Sequence, residues 1–133
     1  MKKIRLYLAG KICYVKRHES LKRFFEKSIE CEVYLPHEFV PLEIPKEKLP
    51  REAFKKCVDH INKADAVIAD ISVYGNDTAW EVGYCYGIKK KIIGFARNKK
   101  YKADFMVKGT VSCVAKNKEE IVKMIKNISA RRV

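Results

Sequence analysis

No apolar run in this 133-residue chain approaches the ~20 residues that a membrane-crossing helix needs. The start, Met1-Lys2-Lys3-Ile4-Arg5, has basic residues but no long apolar region and no small-residue cleavage site, so no secretory leader is expected and the compartment expected is the cytoplasm. Close cysteine pairs are missing too. Cys13, Cys31, Cys57, Cys85 and Cys113 are widely spaced and form no C-x-x-C, which removes zinc-ribbon and thioredoxin-like readings. His18, His37 and His60 are scattered and add no ligand set, so neither a metal nor another cofactor is expected. There is no Pro/Gly/Ser-rich linker, repeat or low-complexity stretch. One domain over residues 1–133 is the expectation.

Negative charge is also scarce. Lys and Arg number 29 against 16 Asp and Glu, a formal net charge of +13. The densest run, Lys89 to Lys102, holds Lys89, Lys90, Lys91, Arg97, Lys99, Lys100 and Lys102 with no acid among them. Such a field attracts anions at a distance. A nucleic-acid reading nonetheless lacks a zinc finger, an arginine-rich tail or an RNP-like aromatic motif. A solvated lysine-rich surface accounts for the charge more simply.

What remains is a regular alternation. Ile4–Ala9 reads as a short buried strand ending at Gly10. Lys16 to Ile29 reads as a helix, with Leu21, Phe24, Phe25 and Ile29 at helical spacing. Glu32 to Leu35 reads as a second strand. All four prolines fall between Pro36 and Pro50, which predicts a long loop, with Pro50 opening a helix through Phe54, Val58 and Ile61. Ala66 to Ile71 is a clean apolar strand and Thr78 to Ile88 a helix. Lys91 to Phe95 is a further strand, Arg97 to Gly109 a basic connection, and Val111 to Ala115 the last strand. Asn117, with Glu120 three residues on, caps a final helix. Apolar strands alternating with helices predict an α/β fold, a doubly wound parallel five-stranded sheet of flavodoxin-like or Rossmann-like layout. Ligands bind such sheets beyond the C-terminal ends of the strands.

At that rim lies Asp70-Ile-Ser-Val-Tyr-Gly-Asn-Asp-Thr-Ala-Trp-Glu81-Val-Gly83. Two readings of Glu81 are open. Thr78-x-x-Glu81 is a capping-box spacing, in which Glu81 only reaches back to a backbone N–H. Alternatively, Glu81 sits in a first helical turn, where the helix terminus keeps a carboxylate ionised at neutral pH. Such a group can attack the anomeric carbon of a sugar. Gly83 would let something approach the helix closely.

Four segments in order resemble the nucleoside 2-deoxyribosyltransferases and the related nucleotide N-hydrolases. They are Ile4-Arg5-Leu6-Tyr7-Leu8-Ala9-Gly10, Glu32-Val33-Tyr34-Leu35-Pro36, Ala64-Asp65-Ala66-Val67-Ile68-Ala69-Asp70, and Thr78-Ala79-Trp80-Glu81-Val82-Gly83-Tyr84 followed by Lys90-Lys91-Ile92-Ile93-Gly94. The resemblance implies that Glu81 is the nucleophile, attacking C1′ of a 2′-deoxynucleoside to give a glutamyl-deoxyribosyl ester that a second base resolves. It implies that Tyr7 orients Glu81 and that Gly10, Lys11 and Ile12 line the base or phosphate side. Asp70, Gly75, Asp77 and Gly83 fall along the segment placed against substrate. Asp104-Phe105-Met106 resembles an Asn-x-Met segment that enters a neighbouring subunit's site. A homo-oligomer with shared sites is therefore implied, with Asp104 and Met106 in contact with substrate. Two positions depart from the family's pattern. Gly75 stands six residues before Glu81, where an aspartate is usual, with Asp77 close by. Cys57 stands where the preceding helix often carries another aspartate, with Asp59 two positions on. The donor that protonates the leaving base is thus open. Water in place of an acceptor base gives a deoxynucleoside monophosphate hydrolase, and loss of the chemistry leaves a nucleotide-binding module.

Overall fold

The computed structural model describes residues 3–11, 14–40, 45–72, 75–97, 104–111 and 113–131. In chain order these form β1 (Ile4–Ala9), α1 (Val15–Ser28), β2 (Cys31–Tyr34), α2 (Pro36–Phe39), α3 (Leu49–Lys63), β3 (Ala66–Asp70), α4 (Asn76–Gly87), β4 (Ile92–Phe95), α5 (Phe105–Thr110), β5 (Val114–Ala115) and α6 (Lys118–Arg131).

The strands form one five-stranded sheet in the order β2-β1-β3-β4-β5. Every pairing is parallel. This is the flavodoxin-like order, and its direction reverses between β1 and β3. The period-2 alternation of side chains divides the core between the two faces of the sheet. Leu6, Leu8, Ile68, Ile93 and Phe95 pack with Leu21 and Phe25 of α1 and with Ile121 and Ile125 of α6. Tyr7, Ala9, Val67, Ala69 and Ile92 pack with Ile61 of α3 and with Val82 and Cys85 of α4. Each large side chain buried in this way contributes roughly 1.5–3 kcal/mol. No residue of β3 is exposed, as expected of a central parallel strand.

Several sequence expectations move. The proline-rich stretch is not all loop: Pro36 opens the single helical turn of α2, with Glu38 accepting from the Leu35 N–H at 3.3 Å. Helix α3 begins at Leu49, one residue before Pro50, which occupies its first turn where no amide hydrogen is needed. Strands β2 and β3 each end one residue earlier than expected. The basic connection contains α5, and the final strand shrinks to Val114–Ala115 because Val111 ends that helix. The cap of α6 is as read: the Glu120 N–H donates to Asn117 Oδ1 at 2.8 Å. Among the basic run, Lys90 is structural. Its ammonium donates to the carbonyls of Asn62 and Ala64 and closes the C-terminal end of α3. Among the described residues no helix is long and apolar enough to cross a membrane.

Candidate functional site

Helix α4 buries Thr78, Glu81, Val82 and Cys85, positions that share one face at helical spacing. Glu81 therefore projects from the core-facing stripe, where an apolar side chain would be expected. Its partner comes from the sheet: the fully buried Tyr7 of β1 donates its hydroxyl to Glu81 Oε2. Strand β1 and helix α4 meet here because β3, which precedes α4, lies directly beside β1.

The capping-box reading does not survive. Helix α4 starts at Asn76 with Gly75 as its N-cap and no side-chain cap bond. Thr78 Oγ1 is buried without a hydrogen-bond partner. Glu81 lies beyond the first turn, and the favourable field of a helix terminus fades within that turn. The helix terminus therefore does little to set the charge of this carboxyl, and burial does more. Burial pushes the Glu81 carboxyl up, the Tyr7 hydrogen bond pulls it down, and the nearby Asp77 charge raises it again, leaving it at about 7. Burial, and then the charge of Glu81, push the Tyr7 phenol far above its ordinary value, so it remains a donor.

Cys57 of α3 packs against the cluster that holds Tyr7. Burial raises its thiol, Tyr7 pulls it back in part, and the Glu81 and Asp77 charges add to the rise, so it is protonated at neutral pH. Asp59 pairs instead with Lys63 at 2.9 Å, with both side chains more than half exposed. Asp77 is exposed in the first turn of α4. Lys11 is exposed, and its side chain lies against Gly75, 3.5 Å from where a Cβ on that glycine would stand. Ile12 lies outside the described residues.

Asp70 is engaged within the chain. Its carboxylate accepts from Arg17 Nη2 at 3.0 Å, shares a 2.9 Å contact with His18 Nε2, and accepts from the Ser72 N–H at 3.2 Å. Burial pushes this carboxyl up, but the His18 hydrogen bond and the Arg17 charge outweigh it and hold it below the usual range. The group ties α1 to the end of β3. Gly10 has its place here: any Cβ would run into the His18 ring, so only glycine lets the chain turn off β1. Spacing gave no hint of Arg17 or His18 beyond one signal. His18 shares the buried stripe of α1 with Leu21 and Phe25, a polar side chain on a core face.

Gly83 faces open space. It is exposed, and nothing approaches within 4 Å of a Cβ position there. Asp104 is the N-cap residue of α5 and does not meet Glu81 through any hydrogen bond or ion pair among the described residues. Phe105 and Met106 beside it are 91% and 83% exposed. Around Tyr7 the sequence reading missed an aromatic group. Phe39 stacks on His60 with ring centroids 3.8 Å apart and leans on Tyr7 at 6.4 Å, and Tyr34 meets His60 edge-on at 4.9 Å. The chain thus presents a buried carboxylate poised between its two protonation states, held by a phenol at the ligand-binding rim of the sheet.

Residues 6–124 match the family model described as nucleoside 2-deoxyribosyltransferase. Among solved structures, the chain is similar to the 2-deoxyribosyltransferase of the psychrotolerant bacterium Bacillus psychrosaccharolyticus. The identity is 20% and the TM-score 0.67, over 89% of this chain and 90% of that one. It is also similar to a conserved protein from Enterococcus faecalis V583, at 14% identity and a TM-score of 0.76, over 94% of this chain and 98% of that one. No curated protein sequence matches it.

Proposed function

The chain belongs to the nucleoside 2-deoxyribosyltransferase family, and from that premise we propose that it exchanges the base of a 2′-deoxynucleoside through a covalent intermediate on Glu81. The hydrogen bond from Tyr7 to Glu81 carries this reading, because it orients a buried carboxylate that has no structural duty as a cap. The phenol engages Oε2 and leaves Oε1 for the sugar. In the first step Oε1 forms a bond to C1′ while the bond from C1′ to the base nitrogen breaks. The electron pair leaves with the base, which takes up a proton. In the second step a nitrogen of the incoming base bonds to C1′ and the ester oxygen departs, restoring the carboxylate. Two inversions return the starting configuration. No group in either step calls for a metal or cofactor.

The leaving base needs a donor, since an anionic purine leaves poorly. Asp77 is our assignment for the group that holds the base, standing near enough for its charge to raise the Glu81 carboxyl, and the proton is drawn from water. Gly10, Lys11 and Gly75 belong to the same rim and form the binding side. Asp70 is a positioning residue for that rim, because its oxygens are already taken by Arg17, His18 and Ser72. Residues 1–133 act as one such domain.

The test is incubation with 2′-deoxyinosine and free adenine, followed by chromatography. A new deoxynucleoside is the expected product. Free hypoxanthine without exchange would assign the hydrolase reaction instead. No turnover of this substrate or of deoxynucleoside monophosphates would leave a binding module and overturn the proposal.

Assembly into at least a dimer is part of the reading. The exposed Phe105 and Met106 are large apolar side chains with little of their own chain to cover them, and a second copy's site would accept them. Complementation tests this. Glu81→Gln and Asp104→Ala/Met106→Ala chains, each impaired alone, should recover activity when mixed, because some sites then combine an intact Glu81 with an intact partner segment. Full activity of the Asp104→Ala/Met106→Ala chain alone would make the segment a mere connector.

A further inference from the structure

The α1/α6 face of the sheet carries a second concavity. A cavity of about 270 Å³ opens where β4 and β5 end. Leu21 and Phe95, both buried, form its floor, and Arg97, Lys116, Lys118 and Glu119 stand around it. Leu21 and Phe95 belong to the core on that face, whereas Tyr7 and Val82 belong to the core on the other. The sheet therefore separates this cavity from Glu81, and the inference does not rest on the function proposed above.

The cations outnumber the acids here: Arg97, Lys116 and Lys118 stand against Glu119 and against Glu120, whose carboxylate accepts from the Lys116 N–H at 2.8 Å. Among the described residues, Arg97, Lys116 and Lys118 have no ion-pair partner, and Glu119 pairs with none of them. A fourth cation stands behind them. The Arg17 and Arg97 guanidinium carbons each lie 5.7 Å from the centroid of the Phe95 ring. Both residues are also anchored on one hydroxyl: Arg17 Nη2 and the Arg97 backbone N–H reach Ser72 Oγ at 2.9 and 3.2 Å. Part of this arrangement is fixed. Arg17 is held by Asp70 and Ser72, and the backbone of Arg97 is pinned at the mouth. Asp70 offsets the charge of Arg17, and the Lys118 ammonium lies 4.5 Å from the centroid of the Phe24 ring, so the charge left over is that of the exposed cations at the mouth, which a bound anion would relieve.

Size narrows the ligand. The cavity is smaller than the roughly 300–1,000 Å³ that encloses a drug-sized molecule. It suits a compact, multiply charged head, and guanidinium and ammonium groups are the usual partners of phosphate oxygens. We propose that this cavity is an anion site for a phosphate group, either inorganic phosphate or the phosphate of a small monoester, held by Arg97, Lys116 and Lys118.

The experiment is calorimetric titration of the full chain, in phosphate-free buffer at low salt, with inorganic phosphate, ribose 5-phosphate and adenosine monophosphate. Saturable binding is expected, and Arg97→Ala/Lys116→Ala should weaken it about tenfold or more, as loss of charge-assisted hydrogen bonds does. Both residues are exposed, so folding should survive. Glu119→Gln offers a second handle that works in the opposite sense: removing the acid at the wall should tighten binding severalfold. Glu32→Gln makes the same change in net charge at an exposed position of β2 and should leave binding unaltered. Binding should also persist in Glu81→Gln. Equal affinity for all three ligands would mark phosphate itself as the ligand, and tighter binding of one ester would mark the ester. No saturable binding would overturn the proposal. So would Glu32→Gln matching Glu119→Gln, since binding would then follow net charge alone.

Discussion

Replacing Glu81 by glutamine should abolish base exchange and at the same time make the protein more stable. A nucleophile has no substitute in a two-step displacement, and its loss should lower kcat on the order of 10³-fold or more. The gain in stability follows from the same carboxyl. Its value is about 7 in the fold against 4.5 for an ordinary glutamate. Below pH 4.5 it is protonated in both folded and unfolded chains and has no differential effect. As pH rises from 4.5 to 7 the unfolded chain releases the proton first, so stability falls, and above 7 the full penalty applies. That penalty is on the order of 3 kcal/mol. Glutamine keeps the shape, still accepts the Tyr7 hydrogen bond and carries no charge to desolvate. Glu81→Gln should therefore melt roughly 10 °C above wild type at pH 8 and nearly level with it at pH 4.5. A thermal scan at both values decides the matter. Equal melting points at pH 8 would mean that the carboxylate is not desolvated, and a full rate in the variant would remove it from the chemistry.

The second large effect concerns Tyr7. Its hydroxyl lowers the Glu81 carboxyl, opposing burial and Asp77. Tyr7→Phe fits the same fully buried space but removes that restraint. The carboxyl should rise further, so the ionised fraction at neutral pH should fall. The acid limb of kcat/KM should move upward by roughly one to two pH units, the worth of a hydrogen bond to a charged group. At pH 7 the rate should drop about 5–50-fold, with much of the loss recovered near pH 9. A purely packing role for Tyr7 would lower the rate without moving the limb. An unshifted limb would therefore sink the assignment of Tyr7 as the group that sets the charge of Glu81.

The topology could be read from apolar strands alternating with amphipathic helices, because a parallel sheet buried on both faces leaves that pattern in the sequence. The ends of elements were harder. Val111 looks like strand but ends α5, because its backbone N–H bonds the Val107 carbonyl. Four prolines in one stretch suggest loop, yet Pro36 is well suited to the first turn of a short helix. Glu81, Tyr7 and the orienting contact between them were legible through family resemblance, and the structure adds that both groups are buried where β1 meets α4. The spacing suggests a helix start at Thr78, whereas α4 starts at Asn76. That offset moves Glu81 out of the reach of the helix terminus and onto the buried stripe. His18 and Glu81 share a signature that periodicity could have exposed: each is polar on a face otherwise given to the core. The partners of such residues, Asp70 and Tyr7, lie far off in the chain, and local spacing holds no record of them.

The pairing of β1 with β3 has a further consequence during synthesis. When β2 has left the ribosome, β1 can already pair with it, but the other edge of β1 has no neighbour until β3 follows. From Tyr34 to Asp70, at 5–20 residues per second, that interval lasts roughly 2–7 s. Throughout it an apolar strand containing Leu6, Leu8 and Ala9 offers unpaired backbone groups to any other nascent chain. An interior strand of the finished sheet is thus an open edge at birth, and the delay is fixed by the crossover that later builds the site.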